Sequence, residues 1–279
     1  MTTPPPALAA FAADVARRTG WAVVAFDEVG STNDEAAARR DAGETRCVVV
    51  AERQSAGRGR GGNRFASPRG GLYASLVVTV PVRDLPAPLV VVTALALAEA
   101  VEARTGVPVQ VKWPNDLWID RKKVAGVLLE TQGLATRGPA DGRGDATDGT
   151  HVGVVVGVGV NVEGVPAGLP DDVAAATTAL AAHAARPVHR DDLLVAFLTA
   201  LDRRLTGLAS AAGRAEVVAA YRARLALVDE PVRFLVGDAP RRGILRSVDL
   251  DRGVEIEGAD GARTFVPVAH LRELRPERS

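Results

Sequence analysis

The stretch that most constrains this chain is Arg53-Gln54-Ser55-Ala56-Gly57-Arg58-Gly59-Arg60-Gly61-Gly62-Asn63-Arg64-Phe65, with four arginines, four glycines and no carboxylate. The apolar run Cys47-Val48-Val49-Val50-Ala51 leads straight into it. Glycine lets backbone N–H groups turn toward a ligand at φ values other residues avoid, and arginine adds fixed positive charge beside them. Gly57 to Gly62 formally satisfies G-x-G-x-x-G after a strand, but a dinucleotide fold also needs a helix opening at the third glycine. Pro68, Gly70 and Gly71 follow instead, and then a second apolar run, Leu72 to Val80. A doubly wound nucleotide fold is therefore excluded, and so is a phosphate loop ending in Gly-Lys-Ser/Thr. What remains is strand, anion-binding loop, strand. A solvated loop and an arginine-glycine tract for RNA are the competing readings.

Charge narrows the choice of anion. Lys and Arg number 34, as do Asp and Glu, so no global field draws the chain to nucleic acid or an anionic surface. Any anion site must be local. Cys47 is the sole cysteine, which rules out an intrachain disulfide and fits a reducing cytoplasm. The N-terminus has no basic and apolar leader pattern, and no uninterrupted apolar run is long enough to span a bilayer.

The periodicities predict helices over 7–19, from Ser31 to about Asp41, over 89–104, near 171–183, over 190–207 and over 213–227. Strands are expected at 22–26, 47–51, 72–80, 109–113, 117–119, 123–131 and 152–162. The turn Asp120-Arg121-Lys122 joins a hairpin. Residues 133–149, rich in Gly, Asp and Arg, read as a loop. After Pro231 short strands at 232–236, 242–248, 254–257 and 264–268 suggest a small all-β unit.

Four further motifs carry chemistry. Ser31-Thr32-Asn33 opens a helix, with Thr32 and Glu35 as an expected capping box, and its free N–H groups suit a polar ligand head. Lys112-Trp113-Pro114-Asn115-Asp116 sets a cation, an aromatic plate, an amide and a carboxylate at a strand end. Lys123-Val124-Ala125-Gly126 places a lysine before a tightly packed strand, with Lys122 beside it as an equal candidate. Gly157-Val158-Gly159-Val160-Asn161 is an apolar strand whose glycines point equally to close approach of a ligand or of another backbone and to close sheet packing. The four histidines show no metal-ligand spacing, and no nucleophile elbow is present.

In this order the five motifs resemble the biotin protein ligase family, over residues from about 20 to the C-terminus. The resemblance implies an α+β fold: a mixed-sheet catalytic domain of the biotin/lipoate ligase type, residues 1–227, followed by a small SH3-like β-barrel, residues 228–279. It implies that biotin and ATP form biotinyl-5′-AMP and pyrophosphate, and that biotin then passes to one lysine of a biotin carboxyl carrier domain of acyl-CoA carboxylase. Carried over to this sequence, Ser31, Thr32, Asn33, Gln54, Gly57, Arg58, Gly59, Arg60, Lys123, Gly126 and Gly159 are the biotin side. Arg60, Phe65, Lys112, Trp113, Asn115, Asp116 and Asn161 are the ATP side. Arg58, Arg60 and Lys123 are the catalytic charges, and Asp116 is a contact to Mg²⁺ through the phosphates. Too few residues precede the first strand for the helix-turn-helix of the repressor members, so no DNA binding is expected. Phe65 stands where the family often has a tryptophan. A lipoate or octanoate ligase is the alternative enzyme, and a nucleic-acid-binding regulator the alternative of another class. Pairing into homodimers by sheet augmentation occurs among related ligases.

Overall fold

The computed structural model describes residues 5–130, 150–267 and 270–277. The expectation for 133–149 lies outside the described residues. Seven strands form one mixed sheet: β1 (Ala22–Val29), β2 (Cys47–Gln54), β3 (Gly71–Pro81), β4 (Gln110–Lys112), β5 (Asp116–Ile119), β6 (Lys122–Glu130) and β7 (His151–Asn161). Their spatial order is β1-β2-β3-β7-β6-β5-β4. Only β1 and β2 run parallel, because α2 (Thr32–Asp41) crosses between them; the other pairs are antiparallel. The chain is therefore mixed α+β, as expected.

α1 (Pro6–Thr19), α3 (Ala87–Thr105), α5 (Arg190–Gly207) and α6 (Ala211–Arg222) cover the sheet. α3 is buried along nearly its whole length, which explains its apolar character on every side. Val, Leu and Ala dominate the core that results, each large side chain in it contributing about 1.5–3 kcal/mol on burial. Tyr73, Tyr221 and Phe197 are its largest fully buried members. Five antiparallel strands form a second sheet, in the order β11-β10-β9-β8-β12: β8 (Pro231–Val236), β9 (Ala239–Asp249), β10 (Gly253–Glu257), β11 (Arg263–Val266) and β12 (Leu271–Pro276). Val232, Phe234, Leu245 and Leu271 join its inner face to the same apolar cluster.

Three expectations need correction. The helix near 171–183 is only α4 (Asp171–Ala175), followed by a single turn at Leu180–Ala182. Thr177 and Thr178 break it: the Thr177 hydroxyl turns back to the Val173 carbonyl, and the segment pairs with Lys123 as a strand would. The helix expected over 213–227 ends at Arg222. At the start of α2 the cap is Ser31, whose hydroxyl accepts from the Asn33 N–H at 3.3 Å. Thr32 lies inside the helix with its side chain committed elsewhere, so the Thr32–Glu35 capping box does not form.

Candidate active site

The strand-end motifs converge on one cavity of about 820 Å³. The mixed sheet forms its floor, α2 and the glycine-arginine loop one side, the hairpin β5–β6 another, and β12 of the second sheet the far wall.

At one end the α2 N-terminus sits on β3. The Gln54 Oε1 accepts from the Thr32 N–H at 2.7 Å and lies 3.0 Å from its hydroxyl oxygen. Thr32 Oγ1 also lies 2.7 Å from Ser75 Oγ, and Ser75 donates to Asn33 Oδ1 at 2.5 Å. Ser75 has one proton and Asn33 Oδ1 can only accept, so that proton goes to Asn33 and the 2.7 Å contact is made by the Thr32 hydroxyl donating to Ser75. Lone pairs on the Thr32 oxygen then stay open to a ligand N–H. Asn33 Nδ2 is buried with no partner among the described residues, a cost of about 1–3 kcal/mol that a ligand acceptor would offset. Gln54 Nε2 donates to Ser67 Oγ, which fixes the amide's orientation. The strand glycines make room: a Cβ at Gly157 would stand 2.4 Å from Asn33 Oδ1, and one at Gly159 would stand 2.5 Å from the Phe65 ring.

The loop over this end is built from short local bonds. Gly59 N–H donates to Asn63 O at 2.7 Å, Phe65 N–H to Gly57 O at 2.9 Å, and Arg58 bridges Arg64. Gly61 and Gly62 have φ of 66° and 79°, the left-handed region that favours glycine. The loop makes one short turn and no α-helix, so the rejection of the dinucleotide motif stands. Arg58 anchors its base to α2 by a forked pair with Asp34, at 2.9 and 2.7 Å, and reaches Glu130 at 3.2 Å. These carboxylates hold the guanidinium pKa well above its usual value, and Arg58 in turn lowers that of Asp34.

At the other end Lys112, Asp116 and Lys123 meet. Lys123 Nζ lies 2.7 Å from Asp116 Oδ1 and Lys112 Nζ 4.0 Å from Oδ2. Burial lowers the Lys112 pKa; Asp116 opposes that shift, and the nearby Lys123, Arg275 and Arg60 add to it. Lys112 also stands over the Trp118 ring at 5.4 Å, and Lys123 over Phe65 at 6.0 Å. Trp113 packs edge-on against Tyr221 at 5.8 Å, and its indole N–H is buried without a partner. Asn115 is locked to β6, donating through Nδ2 to the Val127 carbonyl at 2.6 Å. Six cations (Arg58, Arg60, Arg64, Lys112, Lys123, Arg275) face two carboxylates (Asp116, Glu273) around the cavity, a balance suited to a polyanion.

Most residues singled out from sequence line this cavity: Ser31, Thr32, Asn33, Gln54, Arg58, Gly59, Arg60, Phe65, Lys112, Trp113, Asn115, Asp116, Lys123, Gly126 and Gly159. Two do not. Gly57 lies behind the loop, where a Cβ would stand 2.5 Å from the Phe65 carbonyl. Asn161 is buried behind the wall, donating to the Thr178 carbonyl at 3.1 Å while its Oδ1 lacks a partner. Sequence reading missed Ser75, a buried hydroxyl of β3 that holds Thr32 and Asn33, and Leu271, Glu273, Leu274 and Arg275, which line the cavity and follow no motif. Among the described residues no group of three His, Cys, Asp or Glu is placed to hold a metal. Asp116 and Glu273 are the only carboxylates among the described residues that line the cavity, and Asp116 is already paired with lysine. Such a donor set fits a Mg²⁺ ion carried in on nucleotide phosphates, which keeps most of its waters, and not a resident ion in a protein cage.

A model of the biotin/lipoate A/B protein ligase family matches residues 23–139. The biotin–[acetyl-CoA-carboxylase] ligase of Paracoccus denitrificans is 32% identical over 245 residues, 86% of this chain and 96% of that protein. The bifunctional ligase/repressor of Bacillus subtilis is 30% identical over 160 residues, so the match spans 56% of this chain and 45% of that longer relative. Among solved structures, the biotin protein ligase of Aquifex aeolicus in complex with biotin and ATP superposes with a TM-score of 0.73 at 25% identity, covering 91% of this chain and 99% of that one.

Proposed function

The chain belongs to the biotin/lipoate A/B protein ligase family, and within it we propose an ATP-dependent biotin protein ligase acting on the biotin carboxyl carrier domain of an acyl-CoA carboxylase. The observation that carries the reading is the convergence of a polar pocket at Thr32, Asn33 and Gln54 with a cationic cluster at Lys112 and Lys123 in one cavity. The ring system of biotin suits the first end, where Thr32 accepts an N–H and Asn33 Nδ2 meets a carbonyl. Ser31 and Gly159 complete the walls there, and Gly126 leaves room beside Lys123 where the two ends meet. ATP suits the second, with Asn115, Asp116, Trp113 and Phe65 around it and Lys112 and Arg275 toward the phosphates. Gly57 and Asn161 take supporting parts, shaping the loop and the Lys123 side of the wall.

In the first step a biotin carboxylate oxygen attacks the α-phosphorus and the bond to pyrophosphate breaks. Two anions must approach one another, so Arg58, Arg60 and Lys123 act by offsetting their repulsion as charge moves toward the leaving group. Mg²⁺ arriving with ATP supplies further charge neutralisation when bound. Positioning supplies much of the remaining acceleration, and no protein nucleophile is required. In the second step the acceptor lysine amine attacks the acyl carbon, loses a proton, and AMP departs. The loop from Gly57 to Phe65 shields the mixed anhydride from water between the two. In this reading residues 1–227 form the catalytic domain, residues 228–279 an SH3-like barrel, and the reaction takes place in the cytoplasm.

The test mixes the protein with ATP, Mg²⁺, labelled biotin and a carrier domain. Biotin-dependent pyrophosphate release followed by label on the carrier lysine is expected. Label from lipoate on its own carrier, with none from biotin, would overturn the substrate assignment in favour of the lipoate branch of the family.

A further inference from the structure

We infer that His183 and Asp120 are positioning residues for Lys123, acting through Thr178; this rests on the reading of Lys123 as a reacting-site cation. Lys123 sits where the sheet stops supporting it. The β6–β7 ladder begins at Ala125, and β7 ends at Asn161, so among the described residues no strand of the sheet flanks Lys123 on that side. On its other side the β5–β6 register slips between Leu117 and Trp118, next to the Trp118–Lys123 pair. The broken helix after α4 supplies the missing neighbour. Lys123 N–H donates to the Ala176 carbonyl and Thr178 N–H donates to the Lys123 carbonyl, both at 2.8 Å. Those two bonds form an isolated parallel rung opposite Thr177.

An isolated rung is weak unless its strand is held, and the holding groups are His183 and Asp120. Thr178 Oγ1 lies 2.8 Å from His183 Nε2, and His183 Nδ1 lies 3.5 Å from Asp120 Oδ2. The Thr178 hydroxyl and His183 Nε2 share a hydrogen bond whose direction follows the ring tautomer, and the Asp120 carboxylate stands beside the other ring nitrogen. Asp120 belongs to the turn that leads into Lys123, with φ of 50° at Asp120 and 60° at Arg121. The relay therefore closes a ring: hairpin turn, imidazole, threonine, rung, Lys123. Thr178 is 6% exposed, and its carbonyl also takes the Asn161 amide at 3.1 Å. With the Lys123 main chain held by this ring and its Nζ by Asp116, the ammonium has two fixed points. A misplacement near 1 Å costs up to about a hundredfold in rate, so the ring affects the chemical step more than binding.

Two measurements on the full chain test it. In hydrogen exchange, His183→Ala is expected to speed exchange at the Lys123 and Thr178 amides about tenfold or more while α3 keeps its protection. In biotin-dependent pyrophosphate release, His183→Ala is expected to lower kcat about tenfold with KM for biotin and ATP within about twofold. His183→Gln, which keeps a partner for the Thr178 hydroxyl, should regain most of the loss. Thr178→Val should match His183→Ala, and the double variant should be no slower than either single, as expected for groups acting as one unit. Should His183→Ala fail to fold, Asp120→Gly, which removes the carboxylate at an exposed position and suits a left-handed turn, carries the same exchange comparison. Unchanged exchange at the rung overturns the proposal, as does unchanged kcat or a loss confined to KM. If the unaltered protein releases no pyrophosphate with biotin, the functional reading falls, while the exchange comparison still judges the relay.

Discussion

At the scale of single residues the sharpest question is which lysine faces the reaction. Residue chemistry leaves Lys122 and Lys123 equal, because both precede the same packed strand. Strand alternation separates them: Lys122 is exposed, whereas Lys123 turns into the cavity with Nζ 2.7 Å from Asp116. Lys123→Ala is therefore expected to slow adenylate formation by about a hundred- to a thousandfold, the usual effect of removing one charge-stabilising donor. Lys122→Ala should stay near the unaltered rate. Pyrophosphate release under saturating biotin and ATP measures both, and a normal rate in Lys123→Ala would sink the assignment. The half-exposed Lys123–Asp116 pair adds at most about 1 kcal/mol to stability, so unfolding does not explain the loss. The order of the motifs and the family resemblance pointed to Lys123, Thr32 and Gln54, all of which line the cavity. Ser75 was not legible, since its role depends on Asn33, 42 positions earlier, crossing over the strand it sits in.

At the scale of elements the long apolar segments were legible because their periods are unambiguous: α3 is apolar all round and buried, and β3 and β7 are uninterrupted runs from the middle of the sheet. The broken helix after α4 was not, because its alanines favour helix while the Ala176 carbonyl and the Thr178 N–H bond the Lys123 main chain instead. β12 was hidden by charge. Its buried Leu271 and Leu274 are three apart, out of the two-residue strand period, because the strand bulges where Glu273 takes a φ of 53°. The glycines of β7 were read as close approach of a ligand or a backbone, or as close sheet packing; what stands against them is side chains, Asn33 at Gly157 and Phe65 at Gly159. Gly157→Ala would drive a methyl into Asn33 and push the α2 N-terminus off the sheet. The expected cost is about 1–3 kcal/mol of stability, typical of overpacking. Biotin KM should rise at least tenfold, about 1.4 kcal/mol, and ATP KM should change less. Chemical denaturation and separate KM measurements check this; unchanged biotin KM in the variant would remove Asn33 from the pocket's working parts.

At the scale of the whole molecule, zero net charge conceals a concentrated field. The cationic cavity is balanced by carboxylates elsewhere, many of them in arginine pairs such as Arg121–Glu230, Arg246–Glu257 and Arg214–Asp84. Composition could exclude a global attraction to nucleic acid but could not show where the local one lay. Nor could it show that the second sheet completes the first sheet's site, since Arg275 is 163 positions from Lys112 in the sequence. That closure makes a testable link between the two sheets. Burial lowers the Lys112 pKa from 10.5, and Arg275 is among the charges that lower it further. Arg275→Ala is expected to raise the KM for ATP about tenfold, or 1.4 kcal/mol, by removing one phosphate-facing charge. It should leave biotin KM unchanged, because Arg275 stands at the nucleotide end. The alkaline side gives an independent sign. With Arg275 gone, a repulsive neighbour of the Lys112 ammonium is gone too, so Lys112 keeps its proton to higher pH. If the charged Lys112 is what ATP meets, the alkaline fall in kcat/KM for ATP shifts upward in Arg275→Ala although the plateau is lower. A lower plateau with an unmoved alkaline limb would mean that Arg275 acts on the nucleotide without coupling to Lys112. An unchanged plateau would mean that β12 walls the cavity without taking part in nucleotide binding.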